Sequence, residues 1–231
     1  MDIGKAFRFV FDDRDWVTKV AIGGVMSLLS PLLIGLFFLG GYSVDLIKNV
    51  MNDVDSPLPT WDNLGDKAIK GIKLTVIFLV WAIPIIAVSI LSALFSIILG
   101  SNGREVEGVA AAISICFGCI NLVYGILLAL VSPAIYVRFA QTEQISSGFQ
   151  FGEILAFTQR NLGDIIVALL ISFVASIVAA IAGTILCLIG LLFTMFWASL
   201  VQTHLFGQIG RKDAGASALS ASAPPSAPII S

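Results

Sequence analysis

Charged residues fall in dense polar knots along this chain, separated by long uncharged runs. Taking only Asp, Glu, Lys and Arg, four charge-free windows stand out: residues 20–44 (25 residues), 74–103 (30), 108–137 (30) and 165–210 (46). A helix crosses the ~30 Å hydrocarbon layer with about 20 apolar residues, and one charge at its centre costs roughly 2.5–3.5 kcal/mol on insertion scales. No soluble domain needs four such windows, so the pattern predicts an all-α polytopic membrane protein. As a single helix the last window would measure about 69 Å, more than twice the hydrocarbon thickness, and it must fold into a hairpin. Its turn is expected around Cys187–Gly190. Five apolar helical segments result, four of them spans.

The first segment is different, because Ser30-Pro31 sits near its midpoint. Proline lacks a backbone donor and disfavours helix at the residue before it. The segment is either a kinked span or a re-entrant pair of short helices. If it spans, Lys5, Arg8, Arg14, Lys19 and Arg104 face Lys48, Lys67, Lys70, Lys73, Arg138, Arg160, Arg211 and Lys212, five cations against eight. If it is re-entrant the split is twelve to one, with Arg104 alone outside. The positive-inside rule favours the second arrangement. It also puts the C-terminus on the cytoplasmic side of a prokaryotic inner membrane. A weak internal repeat, residues 20–99 and 109–186, pulls the other way by pairing the first segment with the third, which spans.

The connectors carry their own patterns. Residues 2–12 place Ile3, Phe7, Val10 and Phe11 on one helical face, which suits a helix on the membrane surface or one packed on protein. The knot Asp12-Asp13-Arg14-Asp15 leads to Trp16 and Lys19, an aromatic and a cation fitted to the headgroup boundary. Ser56-Pro57-Leu58-Pro59-Thr60 has turn chemistry, with Thr60 as the expected N-cap and Asp62 in the first turn. The helix that follows should set Trp61, Leu64, Ala68 and Ile72 on one face, leaving Asp66, Lys67, Lys70 and Lys73 to meet water or headgroups. A turn is expected at Gly100-Ser101-Asn102-Gly103, and another amphipathic helix over residues 149–160. The Ala/Ser/Pro-rich tail, residues 213–231, is expected to be disordered, leaving residues 1–212 as one helical membrane domain.

Composition agrees: 58% of residues are apolar and 12% charged, against about half and a quarter in soluble domains. The net charge of −2 adds little, since it arises in the short connectors. Cys116, Cys119 and Cys187 all lie inside apolar windows, which argues against an extracellular disulfide framework. Charges extend to Lys19 and no small-residue cleavage site follows, so the first segment is expected to be retained.

Candidate chemistry is sparse. Cys116-Phe-Gly-Cys119 has redox spacing but lies in an apolar run without a neighbouring cation, so the two cysteines read as small packing residues. His204, the only histidine, cannot build a histidine-rich metal site and suits an interfacial or interhelical hydrogen bond. Asn121 lies mid-window and needs a partner on another helix or a wet cavity. Asp45 can pair with Lys48 or reach the interface. Small residues recur at Ala175, Ala179 and Gly183, and again at Ser92, Ser96 and Gly100, marking helix–helix contacts. No catalytic set, nucleotide fingerprint or metal motif is legible, and no charge lies deep in the second to fifth segments. No enzyme activity and no cofactor are therefore expected. The expected partners are the bilayer and other membrane proteins or further copies of the chain, not nucleic acid.

Several landmarks stand together: Asp12-x-x-Asp15-Trp16-x-x-Lys19, Gly23-Gly24, Pro31, Gly40-Gly41-Tyr42, Leu58-Pro59-x-Trp61-Asp62, Gly71 and His204-x-x-Gly207-Gln208. Over about residues 1–212 they resemble an uncharacterised integral membrane family of bacteria and archaea, the domain of unknown function numbered four-zero-one-three. The resemblance implies a membrane location and this topology, and no activity. The expected role is a non-catalytic scaffold or accessory subunit; a passive permease or lipid-handling protein is the alternative.

Overall fold

The computed structural model describes residues 1–100, 107–186 and 189–222, with residues 99, 100, 107, 109, 110 and 219–222 described by their backbone alone. The helices are α1 (Ile3–Arg8), α2 (Trp16–Leu28), α3 (Ile34–Met51), α4 (Leu64–Gly100), α5 (Glu107–Thr142), α6 (Phe151–Arg160), α7 (Leu162–Ile185) and α8 (Ile189–Ser222). Two 3₁₀ turns, Ser30–Leu32 and Ile145–Phe149, join α2 to α3 and α5 to α6. Among the described residues, five helices are long and apolar enough to cross a membrane: Ile34–Met51, Leu64–Ile98, Ala111–Thr142, Leu162–Ile185 and Ile189–Ala218. The protein is an all-helical, multi-pass membrane protein.

Pro31 breaks the first window as its chemistry requires. After the 3₁₀ turn, Leu33 takes a left-handed φ of 65° and the chain reverses. Gly35 makes that reversal possible, since a Cβ there would lie 1.9 Å from the Met26 carbonyl oxygen. The start of α2 and the end of α3 then meet at one end of the bundle, where Lys19 Nζ donates to the Leu58 carbonyl at 3.0 Å. The segment is thus a helical hairpin whose two ends lie at the same end of the bundle. α3 itself has 18 residues, a rise of about 27 Å, and is one of the helices long enough to cross. The third segment, its counterpart in the repeat, is the single helix α5, so the two halves differ at this point.

Glycine sets the depth of packing around the hairpin. Gly71 on α4 would place a Cβ 1.6 Å from the Phe37 carbonyl oxygen, and Gly41 on α3 one 1.9 Å from that of Lys67. These contacts bring α3 and α4 backbone to backbone. On the other side Gly23 and Gly24 of α2 receive the rings of Phe196 and Phe193 from α8. On α7 Ala175, Ala179 and Gly183 are buried, and a Gly183 Cβ would lie 2.5 Å from the Leu191 Cα of α8. The second stripe is looser; Ser96 is exposed and meets Ser114 of α5 at 3.3 Å, Ser92 is half-buried, and Gly100 ends α4.

Of the two readings of residues 2–12, packing on protein is the one seen: Ala6 of α1 is buried, as are Phe9 and Val10 just after it. Three expectations change. Thr60 does not cap a helix, because α4 begins at Leu64 after Asn63 adopts φ 52°. Trp61 therefore lies in the connector and not on the α4 face. The tail is helical at first: α8 runs on through Ser222 because its alanines favour helix and Asp213 is tied to Arg160 and Asn161. Residues 223–231, the 101–103 part of the expected turn after α4, Arg104 and Cys187 lie outside the described residues.

Candidate functional site

The charged and polar side chains gather at one end of the bundle, in three connected groups. The first closes the α2–α3 hairpin. Asp13 is 6% exposed and accepts from Lys19 Nζ at 2.7 Å, the Ser56 hydroxyl at 2.9 Å and the Asp15 backbone N–H at 2.9 Å. Burial alone would raise its pKa, but the Lys19 ammonium and the other two donors outweigh it and hold the carboxyl below the usual carboxylate range. Trp61 donates its indole N–H to the Lys19 carbonyl at 2.8 Å and stacks on Tyr42 at 4.4 Å between centroids. The Tyr42 hydroxyl donates to the Pro59 carbonyl at 2.9 Å. Trp16 stays nearer the surface, edge-on to Phe11.

The second group is ionic. Asp45 on α3 accepts from Lys67 at 2.7 Å and from Lys70 at 2.8 Å, both on α4. Lys70 also reaches Asp66 at 2.6 Å and Glu143 at 3.5 Å. Glu143 takes Lys48 at 2.5 Å, and its backbone carbonyl takes Lys73 at 3.2 Å. Lys67 and Lys70 were expected to meet water or headgroups, yet they are buried, because the glycine contacts draw the first turns of α4 against α3. Lys73 alone of the three stays half-buried. Asp45 likewise pairs with these lysines and not with Lys48. Beside the group lies an open pocket of about 320 Å³ lined by Asp45, Lys48, Asn49, Asn52, Pro59, Thr60 and Lys67.

The third group ties the N-terminus to α8. Gln208 accepts from the Asp2 backbone N–H at 2.6 Å and donates to the Asp2 carbonyl at 2.8 Å. The same amide nitrogen lies 3.1 Å from His204 Nδ1, which must therefore accept, placing the neutral ring's proton on Nε2. Phe9 stacks on that ring at 4.3 Å. His204 is thus buried, and its hydrogen bond runs to Gln208 on its own helix and not to another helix. Arg211 pairs with Asp53, Lys212 with Asp164, and Arg160 with Asp213. The Asp213 carboxylate raises the Arg160 pKa further. A cavity of about 540 Å³ opens here between Asp2, Asp164, Gln208, Arg211 and Lys212.

Inside the apolar region Asn121 donates to the Ser89 hydroxyl at 3.1 Å, while its Oδ1 is buried without a hydrogen-bond partner among the described residues. Cys116 and Cys119 are free and exposed on α5. An apolar groove of about 430 Å³ runs between α2, α7 and α8, walled by Trp16, Val20, Val178, Phe193 and Trp197 among others.

Sequence reasoning missed Asp13, Asp45 and Glu143 as centres of these groups. Most of their partners are distant in sequence, and for Asp45 the nearby Lys48 offered a local partner that the fold does not use. No curated protein and no solved structure matches the chain. Residues 25–188, which include Pro31, Gly40-Gly41-Tyr42, the Leu58–Asp62 element and Gly71, match the model of a family described as a protein of unknown function, DUF4013. Asp13, Lys19, His204 and Gln208 fall outside that stretch. With most of its length matched, including the hairpin and the ionic group, the chain belongs to the DUF4013 family.

Proposed function

We propose that this protein is a non-catalytic scaffold or accessory subunit of a prokaryotic cytoplasmic membrane, holding other membrane helices on its α4–α5 hairpin. The observation that carries the reading is the nakedness of that hairpin. No residue of the most apolar 18-residue window of α5 is buried, and 11% of that of α4, against 50% in α8. Lipid covers any apolar face, but this face also suits close helix approach. Ala111, Gly118, Gly125 and Ser132 recur every seven residues on α5, and a Cβ at Gly118 or Gly125 would meet nothing within 4 Å. Small residues at heptad spacing let a second helix pack at backbone distance. Lys19, Lys48, Lys67, Lys70, Lys73, Arg160, Arg211 and Lys212 all belong to the polar groups at the connector end of the bundle, which supports a cytoplasmic location for that end. A photo-crosslinking residue at position 118, followed by purification in mild detergent, tests the reading. A discrete protein adduct supports it, and a lone monodisperse chain without adducts overturns it.

A second reading, lipid handling, is favoured by the groove between α2, α7 and α8, whose Trp16 end lies at the polar boundary and whose walls are apolar. Lipid retained through purification by the native chain but lost from Val20→Trp would support it.

A further inference from the structure

The pocket beside the ionic group has the makings of an oxyanion site. Its wall combines two ammonium groups, Lys48 and Lys67, with the Asn52 amide and the Thr60 hydroxyl. Lys67 is 5% exposed and bonds only Asp45 through its ammonium, leaving N–H donors over. Asn52 and Thr60 are exposed, and their side chains have no hydrogen-bond partner among the described residues. Asn49 is fixed by donating to the Pro57 carbonyl at 2.9 Å, which braces the connector that carries Thr60.

Charge points the same way. The pocket wall itself carries two cations, Lys48 and Lys67, against one carboxylate, Asp45. Asp45 is the one carboxylate in the wall, and both its oxygens are already engaged by Lys67 and Lys70. Pro59 and Thr60, on the connector that leads into α4, form one side of the pocket.

We propose that this pocket binds a phosphate-bearing anion, held by Lys48, Lys67, Asn52 and Thr60. Charge-assisted hydrogen bonds from ammonium, amide and hydroxyl suit the tetrahedral array of phosphate oxygens. The chemistry is shared by free phosphate and by a lipid phosphomonoester, so the test separates the two sources. It does not depend on the docking role of α4–α5.

The full chain in detergent is titrated with inorganic phosphate by calorimetry at constant ionic strength. In parallel, native mass spectrometry counts bound phosphatidic acid against phosphatidylcholine. Binding of phosphate identifies a soluble ligand, and retention of phosphatidic acid alone identifies a lipid headgroup; either supports the site. Lys48→Gln and Thr60→Val, both at positions outside the buried core, should each weaken binding about tenfold, since a hydrogen bond to a charged group contributes about that much. Arg211→Gln, at the separate α8 group, should leave it unchanged. Binding in neither arm, unaltered binding by both pocket variants, or an equal loss in Arg211→Gln overturns the proposal.

Discussion

Trp61 lies flat against Tyr42, ring centroids 4.4 Å apart and planes 27° from parallel, while its N–H reaches back to the Lys19 carbonyl. One side chain in a connector thereby joins the start of α2 to the middle of α3, the two arms of the hairpin. Trp61→Ala should destabilise the protein by about 3–5 kcal/mol, the usual range for a packed tryptophan. Trp61→Phe keeps a stacking ring and forfeits one hydrogen bond, about 1 kcal/mol. Denaturation in mixed micelles measures both; equal losses would mean that the stacking contributes nothing.

The α3–α4 crossing depends on missing side chains. Gly71→Leu or Gly41→Leu would drive a Cβ into the Phe37 or Lys67 carbonyl, and should cost at least ~1–3 kcal/mol and loosen the pair. Gly118→Ala is the opposite case, with no atom within 4 Å, and should gain up to about 1 kcal/mol from helix propensity. The same unfolding measurement distinguishes them by sign.

Asp45 neutralises two buried lysines. Asp45→Ala leaves Lys67 and Lys70 without their shared carboxylate and should cost about 3–5 kcal/mol. Replacing both members of one pair, Asp45→Leu with Lys67→Met, should recover much of that loss, because an apolar pair carries no desolvation penalty. A double variant no more stable than the single one would show that the ion pair itself stabilises the fold.

These examples show what was legible in the sequence. Charge spacing alone located the spans, since lipid excludes charge wherever it occurs, and Pro31 marked the break because its chemistry is local. The stripe Ala175, Ala179, Gly183 was legible because helical periodicity puts it on one face. The ionic and aromatic groups were not. Lys67 and Lys70 follow a surface-like i, i+3 pattern, and only the backbone contact at Gly41 and Gly71 turns them inward. Trp61 fitted a helical face, but Asn63 in the left-handed region delays the helix until Leu64.

Asp13 predicts an acid limit. Its carboxyl is held below the usual range, so the folded state binds a proton less readily than the unfolded chain. The contribution of the Lys19 and Ser56 contacts is then complete above the ordinary carboxylate pKa. It fades as pH falls below about 4 towards the depressed folded value. Asp13→Asn should be less stable than the native chain at neutral pH, and the difference should shrink as the medium is acidified from pH ~5 to ~2. A constant difference across that range would assign the stability to the hydrogen bonds and not to the charge.

The hairpin makes the sharpest topological prediction. Because α2 and α3 enter and leave at one end, single cysteines at positions 2 and 55 should be labelled by an impermeant thiol reagent from the same face of the membrane. A cysteine at Leu186, where α7 ends at the opposite end of the bundle, should be labelled from the other face. Cys116, Cys119 and Cys187 are first replaced by serine, since two of them are exposed on α5. If the first segment crossed once, positions 2 and 55 would label from opposite faces. The Lys19 contact with Leu58 could then not exist, because its two residues would lie a hydrocarbon thickness, about 30 Å, apart. The labelling pattern therefore tests the polar latch and the membrane topology together: opposite faces for positions 2 and 55 would sink both.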